Sequence, residues 1–298
     1  MLDQSQIRGL YTAIVTPLSK DGDVDHAALA ELVRFQLDAG ASGVVPIGGT
    51  GEFPALSRDE RRAVVETCVA AANGKPVIPG VLNPGYEDAV ETGKDFLAAG
   101  AAAVMVVTPY YAPPSQEGMR DYFRSYRNAV DLPILLYQIP RRTGVSISPE
   151  SIAELAEDGT AIGIKFSHYD MPEFIRTVKL AGDKLAVLSG EEPLFATHMA
   201  IGAVGGVLAS ATIYPKIWLE IMELSRNGKL KEALALQSKI DAVTDAIYSE
   251  TNPGPLKVFM ELAGRPVGPS RKPLEAPAAE TMSRLVAAAE LAKSNALA

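Results

Sequence analysis

Residues 161–166 read Ala-Ile-Gly-Ile-Lys-Phe, an apolar, strand-like run interrupted by one cation, Lys165. Strand alternation places Ile162 and Ile164 on one face and Gly163 and Lys165 on the other, so the amine points into a sheet or barrel interior. An amine taken out of water is disfavoured as ammonium, and the neutral form attacks ketone carbonyls. The alternative is a strand-end lysine with a buried stem and a head that reaches water. Tyr137 lies near the end of the apolar run 133–139, immediately before the strand of Lys165. It brings a phenol near the amine, which makes a proton relay available, although a strand tyrosine also serves as packing. Arg142, in Pro140-Arg141-Arg142-Thr143-Gly144, either grips a carboxylate with two hydrogen bonds or stands as an exposed loop charge. Gly48-Gly49-Thr50-Gly51-Glu52 is expected to open the helix after the second strand, with unpaired N–H groups suited to a carboxylate or phosphate. Thr50 adds a hydroxyl to that anion site or simply caps the helix.

These residues need a frame that gathers strand ends. Apolar or β-branched runs occur at 9–15, 42–47, 76–81, 102–108, 133–139, 161–166, 185–189 and 205–209. Between them lie stretches with helical spacing, among them 26–39, 58–72, 86–99, 116–130 and 149–157. Strands separated by helices favour parallel pairing, and eight such units predict an α/β fold, a (β/α)8 TIM barrel. Ser57 before Arg58-Asp59-Glu60, Ser148-Pro149-Glu150, and Gly40 and Gly100 after alanines mark helix starts and stops. Beyond the eighth run only helices are expected, giving a catalytic barrel over 1–213 and a last barrel helix plus C-terminal helical extension over 214–298. Thr108-Pro109-Tyr110-Tyr111, Tyr137, Lys165 and Gly190-Glu191-Glu192 all fall where strands end. In a barrel those ends share the face that carries chemistry.

Composition narrows the ligand. Hydrophobic residues make up 47% and charged residues 21%, as in an ordinary globular chain. A net charge of -8 without a basic block argues against nucleic acid or an anionic membrane as partner, leaving a small molecule. Cys68, alone in the chain, reads as a buried packing residue. His26, His168 and His198 lack H-x-x-x-H or H-x-H spacing, so no metal is expected. The glycine-rich segment fits neither G-x-G-x-x-G nor the phosphate loop, and no G-x-S-x-G elbow is present. The first dozen residues lack a basic region followed by an apolar core, and no apolar run reaches about 18 residues, so the cytoplasm is the expected location.

Taken in order, Thr12 to Pro17 (TAIVTP), GGTGE at 48–52, TPYY and PSQEG within 108–118, Y-x-x-P-x-R-T-G at 137–144, GIK at 163–165, SGEE at 189–192 and the N-P-x-P-x-K form at 252–257 resemble the dihydrodipicolinate synthase and N-acetylneuraminate lyase superfamily. The resemblance implies a (β/α)8 barrel, a homotetramer built as a dimer of dimers, and lysine Schiff-base chemistry with no metal and no cofactor beyond the substrate imine on Lys165. It implies a 2-oxo acid such as pyruvate as substrate, with Tyr137 moving protons at the imine. Gly49, Thr50 and the backbone amides beside them would hold the substrate carboxylate, and Tyr111 would relay protons from a neighbouring subunit. Arg142 matches the arginine that the synthases place at the entrance for a second carboxylate, and the pocket shape around Arg142, Glu191 and Leu208 would choose the second substrate. Condensation of pyruvate with aspartate semialdehyde is the implied reaction. Two departures keep other readings open. Gly49 stands where the synthases usually carry the first threonine of G-T-T-G-E, and Glu191-Glu192 replaces an aspartate pair. A dehydratase, deaminase or aldolase for a 2-keto-3-deoxy sugar acid or related 2-oxo acid is the second reading, and a catalytically silent 2-oxo acid-binding protein the third.

Overall fold

The computed structural model describes residues 2–295. Eight strands form one parallel sheet: β1 (Gly9–Ala13), β2 (Gly43–Val45), β3 (Gly80–Val81), β4 (Val104–Val107), β5 (Ile134–Gln138), β6 (Ala161–Phe166), β7 (Ala186–Ser189) and β8 (Gly205–Leu208). Their order is β2-β1-β8-β7-β6-β5-β4-β3. The circle closes between β2 and β3 through a parallel bridge from Val44 to Val77, with Ile78 N–H donating to Val44 O at 2.9 Å and Gly80 N–H to Pro46 O at 3.0 Å. The expected run at 76–81 is cut to two residues because Pro76 and Pro79 have no N–H for a ladder.

The crossovers are α1 (His26–Asp38), α2 (Arg58–Ala71), α3 (Tyr86–Ala98), α4 (Gln116–Ala129), the single turn α5 (Pro140–Thr143), α6 (Pro149–Glu157), α7 (Met171–Ala181) and α8 (Phe195–Ala200). Their starts are set by side chains that satisfy first-turn N–H groups. Ser57 accepts from Glu60 N–H in a reciprocal capping box, and Ser148 accepts from Ser151 N–H. After β8 the described chain adds α9 (Pro215–Arg226), α10 (Leu230–Gln237), α11 (Asp241–Ile247), α12 (Gly254–Leu262) and α13 (Ala279–Ser294), with an irregular segment between the last two. No helix among the described residues is long and apolar enough to cross a membrane.

Register decides which side chains share a face. Thr12 pairs with Leu208, and Thr12 Oγ1 donates to Gln36 Oε1 on α1 at 3.0 Å, so this pair faces the helix layer. Gln138 pairs with Phe166; Gln138 reaches Glu173 on α7, and Phe166 packs edge-on against Phe174 at 5.2 Å. Burying a side chain such as Phe166 stabilises the layer by about 2–3 kcal/mol. The residues between these positions, Tyr137 and Lys165 included, face the other way, toward the barrel interior.

Candidate active site

Tyr137 and Lys165 are direct register partners on β5 and β6. Lys165 is 7% exposed and Tyr137 6%, and Lys165 Nζ lies 4.7 Å from the centre of the phenol ring. Among the described residues Lys165 makes no hydrogen bond and no ion pair. Its side chain lines a cavity of about 670 Å³ together with Tyr137, Gly49, Thr50 and Arg142. Room for the stem comes from Gly190: a Cβ there would stand 3.0 Å from both Cγ and Cε of Lys165 and would overlap Ser167 Oγ.

The segment 48–52 departs from expectation. It does not open a helix; α2 begins only at Arg58, after a short 3-10 turn at Phe53–Ala55. Gly51, Glu52 and Phe53 spend their N–H groups within the segment, on Gly48 O and Gly49 O. The N–H groups of Gly49 and Thr50 make no hydrogen bond among the described residues, and both residues line the cavity. The resulting anion site is a turn with two free amides instead of a helix terminus. Ile47 and Glu52, at the two ends, are held left-handed with φ of 56° and 59°, unusual for residues with side chains. The chain that follows α11 fixes this turn. Glu52 pairs with Lys257 Nζ at 2.5 Å, both side chains being 2% exposed, and Glu52 Oε2 accepts from Arg271 N–H at 2.7 Å. Burial holds the Lys257 ammonium below its ordinary pKa, opposed by Glu52. Asn252 Nδ2 donates to Thr50 Oγ1 at 2.9 Å.

Both arginines of α5 line the cavity. Arg141 forms an ion pair with Glu191, whose carboxyl is pushed up by burial and held back by Arg141. Arg142 has no ion pair among the described residues; the one hydrogen bond of its side chain among them runs from Nη2 to Asn252 O at 3.3 Å. Arg142 is therefore the cation available to an incoming anion. Glu192 is closed off: its Oε1 accepts from Ala209 N–H, Ser210 N–H, Ser210 Oγ and Tyr248 Oη at 2.8–3.1 Å. Burial, then the Glu192 carboxylate, pushes the Tyr248 phenol well above its ordinary pKa. A second cavity of about 300 Å³ adjoins at Gly49, Tyr137 and Arg142 and is walled by Leu82, Tyr110 and Leu274.

Two expected residues fall elsewhere. Leu208 shares the helix-facing side with its partner Thr12, and Val207 and Ala209 line the cavity instead. Tyr111 is 86% exposed and lines neither cavity of its own chain, whereas its neighbour Tyr110 borders the smaller one. The histidines sit apart from the cavity. His198 is fully buried, stacked on Phe174 at 3.8 Å, and burial lowers its pKa to about 4. His168, Asp170 and Glu173 bring ligand-type atoms within 4.8 Å of one another, but Asp170 caps α7 and Glu173 accepts from Gln138.

A buried lysine beside a phenol, free backbone amides and an unpaired arginine is a site for a carbonyl compound that carries a carboxylate. The model of the dihydrodipicolinate synthetase family matches residues 6–292. The chain belongs to that family. Membership makes it an enzyme of the lysine Schiff-base class, which works without a cofactor beyond the substrate imine. Similar curated proteins include the 4-hydroxy-tetrahydrodipicolinate synthase of Acidiphilium cryptum, 36% identical over 94% of this chain and 96% of that protein. The enzyme of the same name from Anaeromyxobacter sp. is 38% identical over 92% and 93%. Among solved structures, the chloride-inhibited dihydrodipicolinate synthase of Acinetobacter baumannii complexed with pyruvate is 33% identical, with a TM-score of 0.92 over 96% of this chain and 99% of that one.

Proposed function

We propose that this member of the family condenses pyruvate with aspartate semialdehyde, using Lys165 as the imine-forming amine. The observation that carries the reading is the Lys165–Tyr137 pair in one cavity with the free Gly49 and Thr50 amides and the unpaired Arg142. The neutral amine adds to C2 of pyruvate. The oxygen leaves as water after protons pass to it, relayed by the phenol of Tyr137, the register partner of Lys165. The iminium then accepts the electron pair released when a C3 proton departs, and the enamine carbon attacks the aldehyde of the second substrate. Its carbonyl oxygen takes a proton as the new C–C bond forms, and addition of water or of the product's own amine to C2 of the regenerated iminium then breaks the C–N bond and returns the Lys165 amine. The Gly49 and Thr50 amides and the Thr50 hydroxyl would hold the pyruvate carboxylate, and Arg142 the carboxylate of the semialdehyde.

Tyr111, exposed in its own chain, supports a homotetramer in which it reaches a neighbouring subunit's cavity. The cytoplasm is the compartment proposed for this reaction. Gly49 motivates one competing reading, a dehydratase, deaminase or aldolase for a 2-keto-3-deoxy sugar acid, because it leaves the site one hydroxyl short of the usual synthase pattern. A panel of 2-oxo acids and aldehydes decides between them. Turnover of pyruvate with aspartate semialdehyde far above that of any sugar acid supports the synthase reading, and the reverse order overturns it.

A further inference from the structure

Asn252 was expected only as part of a C-terminal sequence pattern, yet it lies 9% exposed in the wall of the 670 Å³ cavity. Its Nδ2 donates to Thr50 Oγ1, and its main-chain oxygen accepts from Arg142. Its Oδ1 has no partner among the described residues. A threonine hydroxyl owns one proton and two acceptor sites. Because Thr50 Oγ1 accepts from Asn252, its own proton remains free to be donated elsewhere. Thr50 lines the cavity beside Lys165 and Tyr137, and the adjacent Gly49 has no hydroxyl, so this is the one side-chain proton the turn can offer. Anchoring of the C-terminal helices does not require this contact, since Glu52 already binds Lys257 and Arg271 N–H.

We propose that Asn252 is a positioning residue that points the Thr50 hydroxyl proton into the cavity, toward the carboxylate of a bound 2-oxo acid. The inference rests on the imine-forming reading above. Thr50 then acts as a fixed donor, and Asn252 supplies the orientation that a hydroxyl at position 49 could otherwise share. The main-chain bond to Arg142 places the same residue between the two anion-binding groups.

The test uses the full-length enzyme with Asn252→Ala and Asn252→Asp, each alone and combined with Thr50→Val. The readouts are the pyruvate concentration that half-saturates borohydride trapping on Lys165, the maximal trapping rate, and thermal unfolding. Asn252→Ala should raise the half-saturating concentration about tenfold, the worth of one hydrogen bond, with little change in the maximal rate. Asn252→Asp should be worse, about a hundredfold, because a carboxylate takes the Thr50 proton and repels the anion. In the Thr50→Val background, Asn252→Ala should add less than about twofold. Additive effects, or an aspartate variant milder than the alanine variant, overturn the proposal, since a packing role prefers the isostere. If the wild-type enzyme does not trap pyruvate, the imine reading fails. The Asn252–Thr50 link is then judged by the unfolding cycle, where non-additive destabilisation supports it and additive destabilisation removes it.

Discussion

Gly190→Ala tests how closely the barrel fits its lysine. The added Cβ would lie 3.0 Å from Cγ and Cε of Lys165. Carbon atoms in ordinary contact sit about 3.5–4.0 Å apart, so the lysine stem must retreat by about 0.5–1 Å. An error of about 1 Å in the attacking atom costs about a hundredfold in rate, or about 2.7 kcal/mol in the barrel's catalytic step. The new methyl also displaces Ser167 Oγ, which donates to Gly190 O at 3.2 Å, and losing that bond lowers stability by about 1 kcal/mol. Stopped-time borohydride trapping with saturating pyruvate gives the rate, and a thermal melt gives the stability. Adding Ser167→Ala should relieve the hydroxyl overlap without restoring trapping, because the lysine remains displaced. Trapping by Gly190→Ala within about threefold of wild type would show that Lys165 is not held by this contact and would refute the reasoning.

Two further perturbations probe the turn and its anchor. Gly49→Thr should fold with a stability within about 1 kcal/mol of wild type, because a Cβ there meets only Arg142 Nη1 at 3.8 Å and Cζ at 4.0 Å. If the missing hydroxyl limits proton relay, turnover with aspartate semialdehyde rises about tenfold in steady-state assays, and a fall would assign Gly49 to clearance for a larger substrate. Glu60 is held down to about 2, chiefly by its hydrogen bonds from Arg271 at 2.5 and 2.9 Å. A carboxyl depressed in this way adds stability above its ordinary 4.5 and loses it as pH falls through about 2. The full shift corresponds to about 3 kcal/mol, which solvent around a side chain 31% exposed reduces to about 1–2 kcal/mol. Denaturant melts of Glu60→Gln should therefore show less loss of stability than wild type between about pH 4.5 and pH 2; parallel losses would remove the assignment.

The barrel was legible because eight β-branched runs alternate with capped helices, and both signals are local. Lys165 and Tyr137 were legible for the same reason: period-two alternation fixes their face, and neighbouring strands of a parallel barrel bring them into register. The family expected from the motifs is the family the chain belongs to. What escaped the sequence depends on long-range docking or on a strand's last residue. Asn252 meets Thr50 across 202 positions, and no local pattern encodes that contact. Arg141 takes Glu191 across 50 positions, a pairing no local pattern encodes, while Arg142, the arginine the sequence singled out, has no ion pair among the described residues. Leu208 missed the cavity by one residue, the cost of a single step in a pleat that sends alternate side chains to opposite faces. The turn at 48–52 looked like a helix start because glycines precede a capped helix, but the cap belongs to Ser57.

The central claim is that the Lys165 amine bonds to C2 of a 2-oxo acid. Peptide mapping after borohydride reduction in the presence of pyruvate tests it directly. The peptide containing Lys165 should gain the mass of pyruvic acid less one oxygen, and Lys165→Ala should gain nothing while remaining folded. A protein that stays unmodified with every 2-oxo acid, or carries the adduct on a different lysine, would contradict the account.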